Sequence, residues 1–382
     1  MFFHISQQPQ ENYPCQWQLG SFAISTDSGW KQFTVGPVQI LYKGYADAGP
    51  LEALLGQVMF QSTPHLTGNF CVLVVVNDTL TVQTDRYRGF PIYINDHSIN
   101  NLIASDRTAW TDSLITVHAD LVVTEHKFDM VGEIDITPLD FNQARDQIHD
   151  ILTRKTQQFL THNTLPIRSF LSGGVDTLLV YSYLKAANAE FELVDYNHVD
   201  HDHFWRSNTH HLNTLWGYQQ THHWKNPCVL ASGAPGDEFM LRSPTTANLY
   251  LLYHDTSIPK LLEINKTCLH HTYFSLYKHQ KLFGSQQRPD GSSMEFYHSL
   301  CDIVANDWQH WHLGETLHWT PLRDLEIFKI LMRLPLSDAI DQIMDSTLSR
   351  ALIEKNVPGA TELISDQKNT EPILKNLNRL FG

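Results

Sequence analysis

The segment from Leu165 to Ala187 reads LPIRSFLSGGVDTLLVYSYLKAA and is the most informative part of this chain about its fold. Its first part, Ile167 to Leu171, is a short apolar run typical of a strand, and its last part has apolar residues at helical spacing. Between them lies the turn Ser172-Gly173-Gly174-Val175-Asp176-Thr177. The segment therefore predicts a strand, a glycine turn and a helix in direct succession.

The turn has the composition of a phosphate-binding loop. Gly173 and Gly174 let the backbone approach a ligand closely and expose successive N–H groups at a helix N-terminus, which favours anions. The hydroxyls of Ser172 and Thr177 flank this position. Asp176 would repel phosphates unless a cation lay between them, and Mg²⁺ is the usual one. The alternative interpretation of these residues is a glycine turn that only joins a strand to a helix. The turn is not a Walker loop, because the lysine of that motif is absent.

A second glycine turn follows another apolar run, in the stretch from Pro227 to Glu238, PCVLASGAPGDE. A strand candidate from Phe191 to Tyr196 lies between the two turns, which gives the rhythm of a parallel sheet with its ligand site at the carboxyl ends of the strands. Asp176 and Asp237 on neighbouring strand ends would form a clamp for a divalent cation. The alternative for Gly236-Asp237 is an ordinary turn.

These two turns carry a resemblance to a known family. SGGVDT resembles the SGGxDS loop of the asparagine synthetase-like enzymes, which cleave ATP between the α and β phosphates to adenylate a carboxylate. Ser232, Gly233, Asp237 and Glu238 match the second loop of that family, whereas Pro235 and Gly236 depart because the second glycine is displaced by one. The resemblance implies ATP and Mg²⁺ as cofactors, with three groups of ligands: pyrophosphate at Ser172, Gly173, Gly174, Asp176 and Thr177; the nucleotide at Ser232 and the backbone around Leu171, Tyr196 and Gly233; and the metal at Asp176 and Asp237.

The remainder of the chain after the second turn reads as mainly helical. The stretches from Trp319 to Pro335 and from Ser349 to Lys368 resemble the family's closing segments. The resemblance makes Lys368 a catalytic residue that stabilises charge at the α-phosphate or the acyl centre. The usual arginine before it is Asp366 here, and the alternative for Lys368 is a solvated surface charge.

The N-terminal part consists of short β-rich runs separated by turns. The segments Gly68–Phe70 and Asp85–Tyr93 resemble the glutamine-hydrolysing domain of the same family, with one inserted residue at Arg88. That domain uses an N-terminal cysteine as its nucleophile, and position 2 here is Phe2. We therefore expect a glutaminase-like fold without glutaminase activity. The predicted strands are Phe22–Ser25, Val38–Tyr42, Phe70–Val76, Leu80–Thr84 and Ile92–Ile94, with a hairpin turn between Val76 and Leu80.

Two domains follow from these patterns: residues 1–136, glutaminase-like, and residues 137–382, synthetase-like. The second opens with an amphipathic helix from Phe141 to Thr161, for which Asp140 is a good N-cap. The fold class that the resemblance implies is α/β. It comprises an N-terminal nucleophile-hydrolase-like αββα sandwich followed by an adenine-nucleotide α-hydrolase-like parallel sheet with helical additions.

Ala234 narrows the reaction that this resemblance would allow. The corresponding residue in asparagine synthetases is a glutamate that deprotonates ammonia, and alanine accepts no proton. Together with Phe2, this favours a ligase that joins the activated carboxylate to an amine from a source other than glutamine. The alternative is a pseudoenzyme that keeps nucleotide binding as a regulatory module. Transfer of sulfur or nitrogen to a tRNA base shares the first loop but is disfavoured by the acidity of the chain.

Composition excludes several other classes. The chain has 382 residues, a net charge of −14 and 42% hydrophobic residues, which argues for cores of ordinary size and against a general nucleic-acid binder. Five scattered cysteines without a CxxC pair predict a reducing, cytoplasmic setting. No apolar stretch reaches the ~18 residues that a membrane span needs. The 22 histidines lack the ligand pattern of a zinc site. The expected partners are a small-molecule or peptide carboxylate and an amine, and a homodimer remains open.

Overall fold

The computed structural model describes most of residues 1–136 and half of residues 137–382. The described residues are 3–47, 49–51, 54, 66–85, 92–100, 107–108, 113–127, 134–171, 174–195, 227–233, 236–242, 246, 250, 254 and 316–364. They form antiparallel sheets in the N-terminal part and a parallel sheet with helices in the C-terminal part. The coarse prediction of an α/β protein is confirmed.

The N-terminal part is built from two antiparallel sheets. The strands are β1 (Phe3–Ser6), β2 (Cys15–Leu19), β3 (Phe22–Thr26), β4 (Lys31–Val35), β5 (Val38–Ala46), β6 (Gly68–Val76), β7 (Thr79–Thr84), β8 (Tyr93–Asn95), β9 (Ser98–Asn100), β10 (Arg107–Thr108), β11 (Ser113–Val117) and β12 (Val123–Lys127). Within the described residues, the strand orders are β10-β8-β9-β1-β3-β2 and β12-β11-β7-β6-β5-β4. The five predicted strands are confirmed, with ends that differ by up to four residues.

The two sheets pack face to face through one cluster of buried side chains. Phe3 and Ile5 of β1 meet Leu73 and Val75 of β6 in this cluster, and each of the four is at most 3% exposed. Every second residue of these strands belongs to the cluster, as expected where two sheets of a β-sandwich face each other. The sandwich is therefore present, while the helical layers of the αββα prediction remain a prediction.

The predicted hairpin turn and the positions of two cysteines can be examined in this part of the structure. Asn77 and Asp78 both have left-handed backbone angles, with φ of 48° and 57°, as a two-residue hairpin turn between β6 and β7 requires. Cys71 is fully buried in β6 and packs as a small apolar side chain. Cys15 lies within β2, where it is paired with Thr26 of β3. Phe2 lies outside the described residues.

The C-terminal part contains a parallel sheet, as predicted. Its strands are β13 (Ile167–Leu171), β14 (Glu192–Asp195), β15 (Cys228–Ala231) and β16 (Thr316–Trp319), in the order β14-β13-β15-β16. The helices are α1 (Phe141–His162), α2 (Val175–Ala186), α3 (Gly236–Phe239), α4 (Leu325–Leu331), α5 (Leu336–Asp345) and α6 (Thr347–Asn356), followed by a 3-10 turn at Ala360–Leu363. The prediction missed β16, because it interpreted the region after the second glycine turn as mainly helical.

Helix α1 begins where the sequence predicts. The carboxylate of Asp140 accepts hydrogen bonds from the backbone N–H groups of Asn142 and Gln143, at 2.9 and 3.4 Å, and so caps the helix. Its apolar face packs into the C-terminal core through Ile148 and Leu152, both fully buried. None of the helices in the described residues is both long and apolar enough to cross a membrane.

Buried ion pairs connect the N-terminal sheets to the C-terminal part. Lys155 of α1 has its Nζ 3.2 Å from Asp47 Oδ2 and 3.1 Å from Asp324 Oδ2. Burial alone would lower the pKa of Lys155, but the carboxylates of Asp324 and Asp47 outweigh it and raise this pKa, so the lysine stays charged. Arg323 donates to Asp85 Oδ1 at 2.9 Å and to the carbonyl of Gly68. The segment after β16 is therefore held against the N-terminal sheets by largely buried ion pairs and by the hydrogen bond from Arg323 to β6.

Substitution of Asp85 tests this connection. Asp85 is fully buried and Arg323 is 6% exposed, so Asp85→Asn leaves a buried guanidinium without its counter-ion. We expect a loss of about 3–5 kcal/mol in the free energy of unfolding, measured by urea denaturation.

The matched control is Lys355→Met, which removes an exposed pair with Asp146 and should leave the unfolding midpoint nearly unchanged. A double variant, Asp85→Asn with Arg323→Met, should recover part of the loss, because it removes the unpaired charge. Equal effects of Asp85→Asn and Lys355→Met would contradict a structural role for the buried pair.

Candidate functional site

The two glycine turns meet at the carboxyl edge of the parallel sheet. Strand β13 leads towards Gly174, which is the N-cap of α2, and β15 leads into Ser232 and Gly233 just before α3. β13 and β15 are neighbouring parallel strands, with Ser169 opposite Ala231. Both helices therefore begin at the same edge of the sheet, as the sequence predicted.

The second turn packs directly on Asp176 of the first. A Cβ added to Gly233 would lie 2.4 Å from both the backbone carbon of Asp176 and the nitrogen of Thr177. A Cβ added to Gly236 would lie 2.7 Å from Asp176 Cγ and 2.7 Å from Leu322 Cδ1. Only glycine allows such close approach without moving a neighbour. The two turns therefore form one interlocked unit.

A charged cluster lies beside these glycines. Arg242 Nη1 is 2.5 Å from Asp176 Oδ1 and 3.1 Å from Asp237 Oδ1. The contact to Asp176 has the distance of an ion pair but not the alignment of a hydrogen bond. Burial and the nearby Asp237 raise the pKa of Asp176 to about 7, although Arg242 acts in the opposite direction. The side chain of Asp237 is 55% exposed, whereas that of Asp176 is only 15% exposed.

The pair of carboxylates fits the predicted magnesium site in its chemistry. One oxygen of Asp176 and one of Asp237 face a common point, which the cationic group of Arg242 takes up. Mg²⁺ is often held by only one or two carboxylates, together with waters and substrate phosphates. Within the described residues no cluster of three or more potential metal ligands exists, so a closed metal centre made by protein alone is not found there.

Other predicted ligands are held by hydrogen bonds within the protein. Ser232 is 3% exposed; its Oγ lies 2.6 Å from His318 Nε2, and its N–H donates to the carbonyl of Trp319. Burial and the charge of Arg323 lower the pKa of His318 to about 3, so its imidazole is neutral. The hydroxyl of Thr177 donates to the Gly174 carbonyl at 2.9 Å and stabilises the start of α2.

Some of the predicted site residues lie within the described residues and others lie outside them. Gly174, Asp176, Thr177, Ser232, Gly233 and Asp237 lie at one edge, and the backbone of Leu171 ends β13 beside them. Ser172, Gly173, Tyr196, Ala234 and Lys368 lie outside the described residues. The sequence reasoning missed Arg242 and His318. Arg242 follows the acid pair by only a few positions, and that proximity was the one signal that could have identified it.

The chain matches no protein-family model and no curated protein. Among solved structures it shows a distant similarity to the glutamine phosphoribosylpyrophosphate (PRPP) amidotransferase from B. subtilis, solved as a complex with ADP and GMP. The identity is 10% and the TM-score 0.22, over 63% of this chain and 71% of that chain. A similarity of this size carries no argument about activity, so the functional reasoning depends on the site itself.

Adding a methyl group at Gly233 tests the close approach of the two turns. Gly233→Ala would place its Cβ against backbone atoms that no rotamer change can move, and we expect a loss of about 1–3 kcal/mol in stability. If the turns bind ATP, as the sequence predicts, ATP binding should become weaker as well. Thermal unfolding and ATP titration measure the two effects.

Gly36→Ala is the control, because a Cβ there meets no atom within 4 Å and only its positive φ opposes the change. It should leave ATP binding unchanged. Equal ATP binding by Gly233→Ala and the unsubstituted protein would show that the turns need not touch.

The buried imidazole predicts a dependence of stability on pH. In the folded protein the pKa of His318 is lowered to about 3 from the ordinary 6.5. Between these two pH values the unfolded chain therefore binds a proton at this imidazole, whereas the folded chain does not. This contribution to stability is fully present above about pH 6.5 and is lost as the pH falls towards 3. We expect the unsubstituted protein to lose roughly 2 kcal/mol relative to His318→Gln between pH 7 and 4.5.

Urea denaturation of both proteins at several pH values measures this difference. At pH 8 the comparison reports only the packing and hydrogen bonds that the imidazole makes, including the one with Ser232, because the imidazole is neutral in both states. A difference that stays constant with pH would contradict the assignment of a buried neutral imidazole.

Proposed function

We propose that this chain is an ATP- and Mg²⁺-dependent ligase that adenylates a carboxylate, releases pyrophosphate and joins the acyl group to an amine from a source other than glutamine. One observation carries the proposal: two glycine turns interlock at the carboxyl ends of neighbouring parallel strands, and Asp176 and Asp237 converge there on one cationic position. The proposal includes the finer fold assignment, an N-terminal nucleophile-hydrolase-like sandwich and an adenine-nucleotide α-hydrolase-like domain.

The proposed reaction has two balanced steps. A carboxylate oxygen of the substrate attacks the α-phosphorus of ATP, and the bond from this phosphorus to the bridging oxygen breaks as pyrophosphate leaves. The amine nitrogen then attacks the acyl carbon, the bond from that carbon to the AMP oxygen breaks, and the amine gives up one proton. Both steps are displacements in which positioning and charge stabilisation supply most of the acceleration.

The residues have distinct roles in this scheme. The backbone N–H groups from Ser172 to Gly174, at the start of α2, would bind the pyrophosphate part of ATP. Asp176 and Asp237 would hold Mg²⁺, which neutralises charge on the departing pyrophosphate when bound. Lys368 would stabilise charge at the α-phosphate or the acyl centre.

The proton acceptor for the amine is not supplied by Ala234. A methyl side chain takes no proton, so the base belongs to another residue or to the substrate itself. The amine would arrive with the substrate, within the same molecule or on a second one. We propose small-molecule or peptide acids and amines as the substrate class.

A second candidate function is nucleotide binding without catalysis, in a regulatory module. The specific observation in its favour is the position of Arg242, whose guanidinium group contacts both of the carboxylates that would hold the metal. A module of this kind would bind a nucleotide and form no acyl-adenylate.

Exchange of labelled pyrophosphate into ATP separates the two functions. With Mg²⁺ and pooled amino acids, small acids and peptides, a ligase should show exchange that depends on the carboxylate supplied. Asp176→Asn should reduce this exchange by about 10²–10³-fold, since it removes a charge from the metal position.

The control is Asp146→Asn, an exposed carboxylate on α1 that pairs with Lys355 and should leave exchange unchanged. ATP binding without exchange for any carboxylate in the pools would contradict the ligase and support the regulatory module. Absence of ATP binding to the folded protein would contradict both.

A further inference from the structure

Arg242 takes up the position that the proposed function gives to a metal ion. Its Nη1 atom contacts the carboxylates of Asp176 and Asp237, and its side chain is 8% exposed. The two carboxylates differ in their freedom to move. The side chain of Asp176 is largely buried and therefore fixed, whereas that of Asp237 is 55% exposed and has room to move. A cation placed between these two oxygens must therefore compete with the guanidinium group.

The fold places Arg242 at this point through a tight turn. The N–H of Met240 donates to the carbonyl of Gly236 at 2.8 Å, and the N–H of Arg242 donates to the carbonyl of Asp237 at 2.7 Å. Leu241, fully buried, adopts a left-handed φ of 58°. Such a conformation costs a bulky residue about 1–2 kcal/mol, so the surrounding core must enforce it.

The core supports this turn from the opposite side. Met240 is fully buried, and its carbonyl accepts a hydrogen bond of 2.8 Å from Gln342 Nε2 of α5. The amide oxygen of Gln342 in turn accepts from the backbone N–H groups of Leu348 and Ser349. The backbone of Arg242 is therefore anchored, whereas its long side chain has several rotatable bonds.

The balance of charges argues that the observed arrangement is not the one that binds ATP. When both carboxylates are ionised, they and the one guanidinium group leave a net charge of −1, which repels a polyphosphate. A divalent cation between the carboxylates makes their sum zero and leaves the guanidinium group as a net positive charge. Guanidinium groups bind phosphate oxygens in a planar, bidentate geometry that suits this released state.

We propose that Arg242 closes the metal position before ligand binding and becomes a phosphate ligand when the metal and nucleotide enter. The identity of the phosphate ligand as ATP depends on the proposed function; the competition between Arg242 and a divalent cation does not. A purely structural ion pair would behave differently, because its removal would disturb the site and weaken the binding of metal and nucleotide together. Opposite effects on the two are specific to the proposed exchange.

Arg242→Gln separates these alternatives. Mn²⁺ binding without nucleotide, followed by electron paramagnetic resonance, should become about 10-fold tighter, because two carboxylates then face the ion without a competing charge. Binding of a non-hydrolysable ATP analogue with Mg²⁺, followed by calorimetry, should become about 10-fold weaker, because a charge-assisted phosphate contact is lost.

Arg145→Gln is the matched control, since Arg145 is a partly exposed arginine on α1 that pairs with Asp146. It should change neither affinity. If Arg242→Gln does not fold, the Nε–H resonance of Arg242 in the unsubstituted protein gives a second measurement, and it should shift when Mg²⁺ and the analogue are added together.

The outcomes distinguish the inference from the proposed function. Equal or weaker Mn²⁺ binding by Arg242→Gln would overturn the competition, even if the unsubstituted protein binds ATP. Unchanged binding of the analogue would overturn the role as a phosphate ligand. Tighter Mn²⁺ binding in a protein that never binds ATP would support the competition and contradict the proposed function. A resonance of Arg242 that stays fixed on addition of Mg²⁺ and a bound analogue would overturn the exchange of partners.

Discussion

The contact on which the rest of the site depends is the packing of two glycine backbones against Asp176. Gly233 and Gly236 approach this residue so closely that any side chain would collide with it. This approach joins two turns that are 60 residues apart in the sequence and fixes Asp176 beside Asp237 and Arg242. Because the turns follow neighbouring parallel strands, their helices begin at one edge of the sheet. The arrangement of charges at the site is thus a consequence of backbone packing.

The N-terminal sheets contribute to the same site through β16. Arg323 and Lys155 form buried pairs with Asp85 and Asp47 of the N-terminal part, which hold the segment that follows this strand. That segment supplies Leu322 to the contact with Gly236, and β16 itself supplies His318, which lies against Ser232. The N-terminal sheets therefore have a physical role at this site. They position the strand that supports the second glycine turn, and this role requires no chemistry of its own.

Sequence patterns predicted the parts of the site that are local. The strand from Ile167 to Leu171, the helix after it and the two aspartates at neighbouring strand ends all follow from short apolar runs and glycine turns, and the structure confirms them. Strand β16 was missed because it is only four residues long and contains His318, so its apolar run is too short to be distinguished from the helical pattern that follows it. The roles of Arg242 and His318 come from contacts made in three dimensions. No period or motif encodes a guanidinium group that turns back onto two carboxylates, or an imidazole buried against a serine 86 residues away.

The central claim is that the two turns form one site for a metal and a polyphosphate. A crystal structure of the protein grown with Mn²⁺ and a non-hydrolysable ATP analogue tests it most directly, because Mn²⁺ gives an anomalous signal. We predict an anomalous peak within about 2.5 Å of oxygen atoms of both Asp176 and Asp237, with the phosphates against residues 172–177 and the guanidinium group of Arg242 moved onto them. A nucleotide bound elsewhere, or a bound nucleotide with Arg242 still between the two carboxylates, would contradict it.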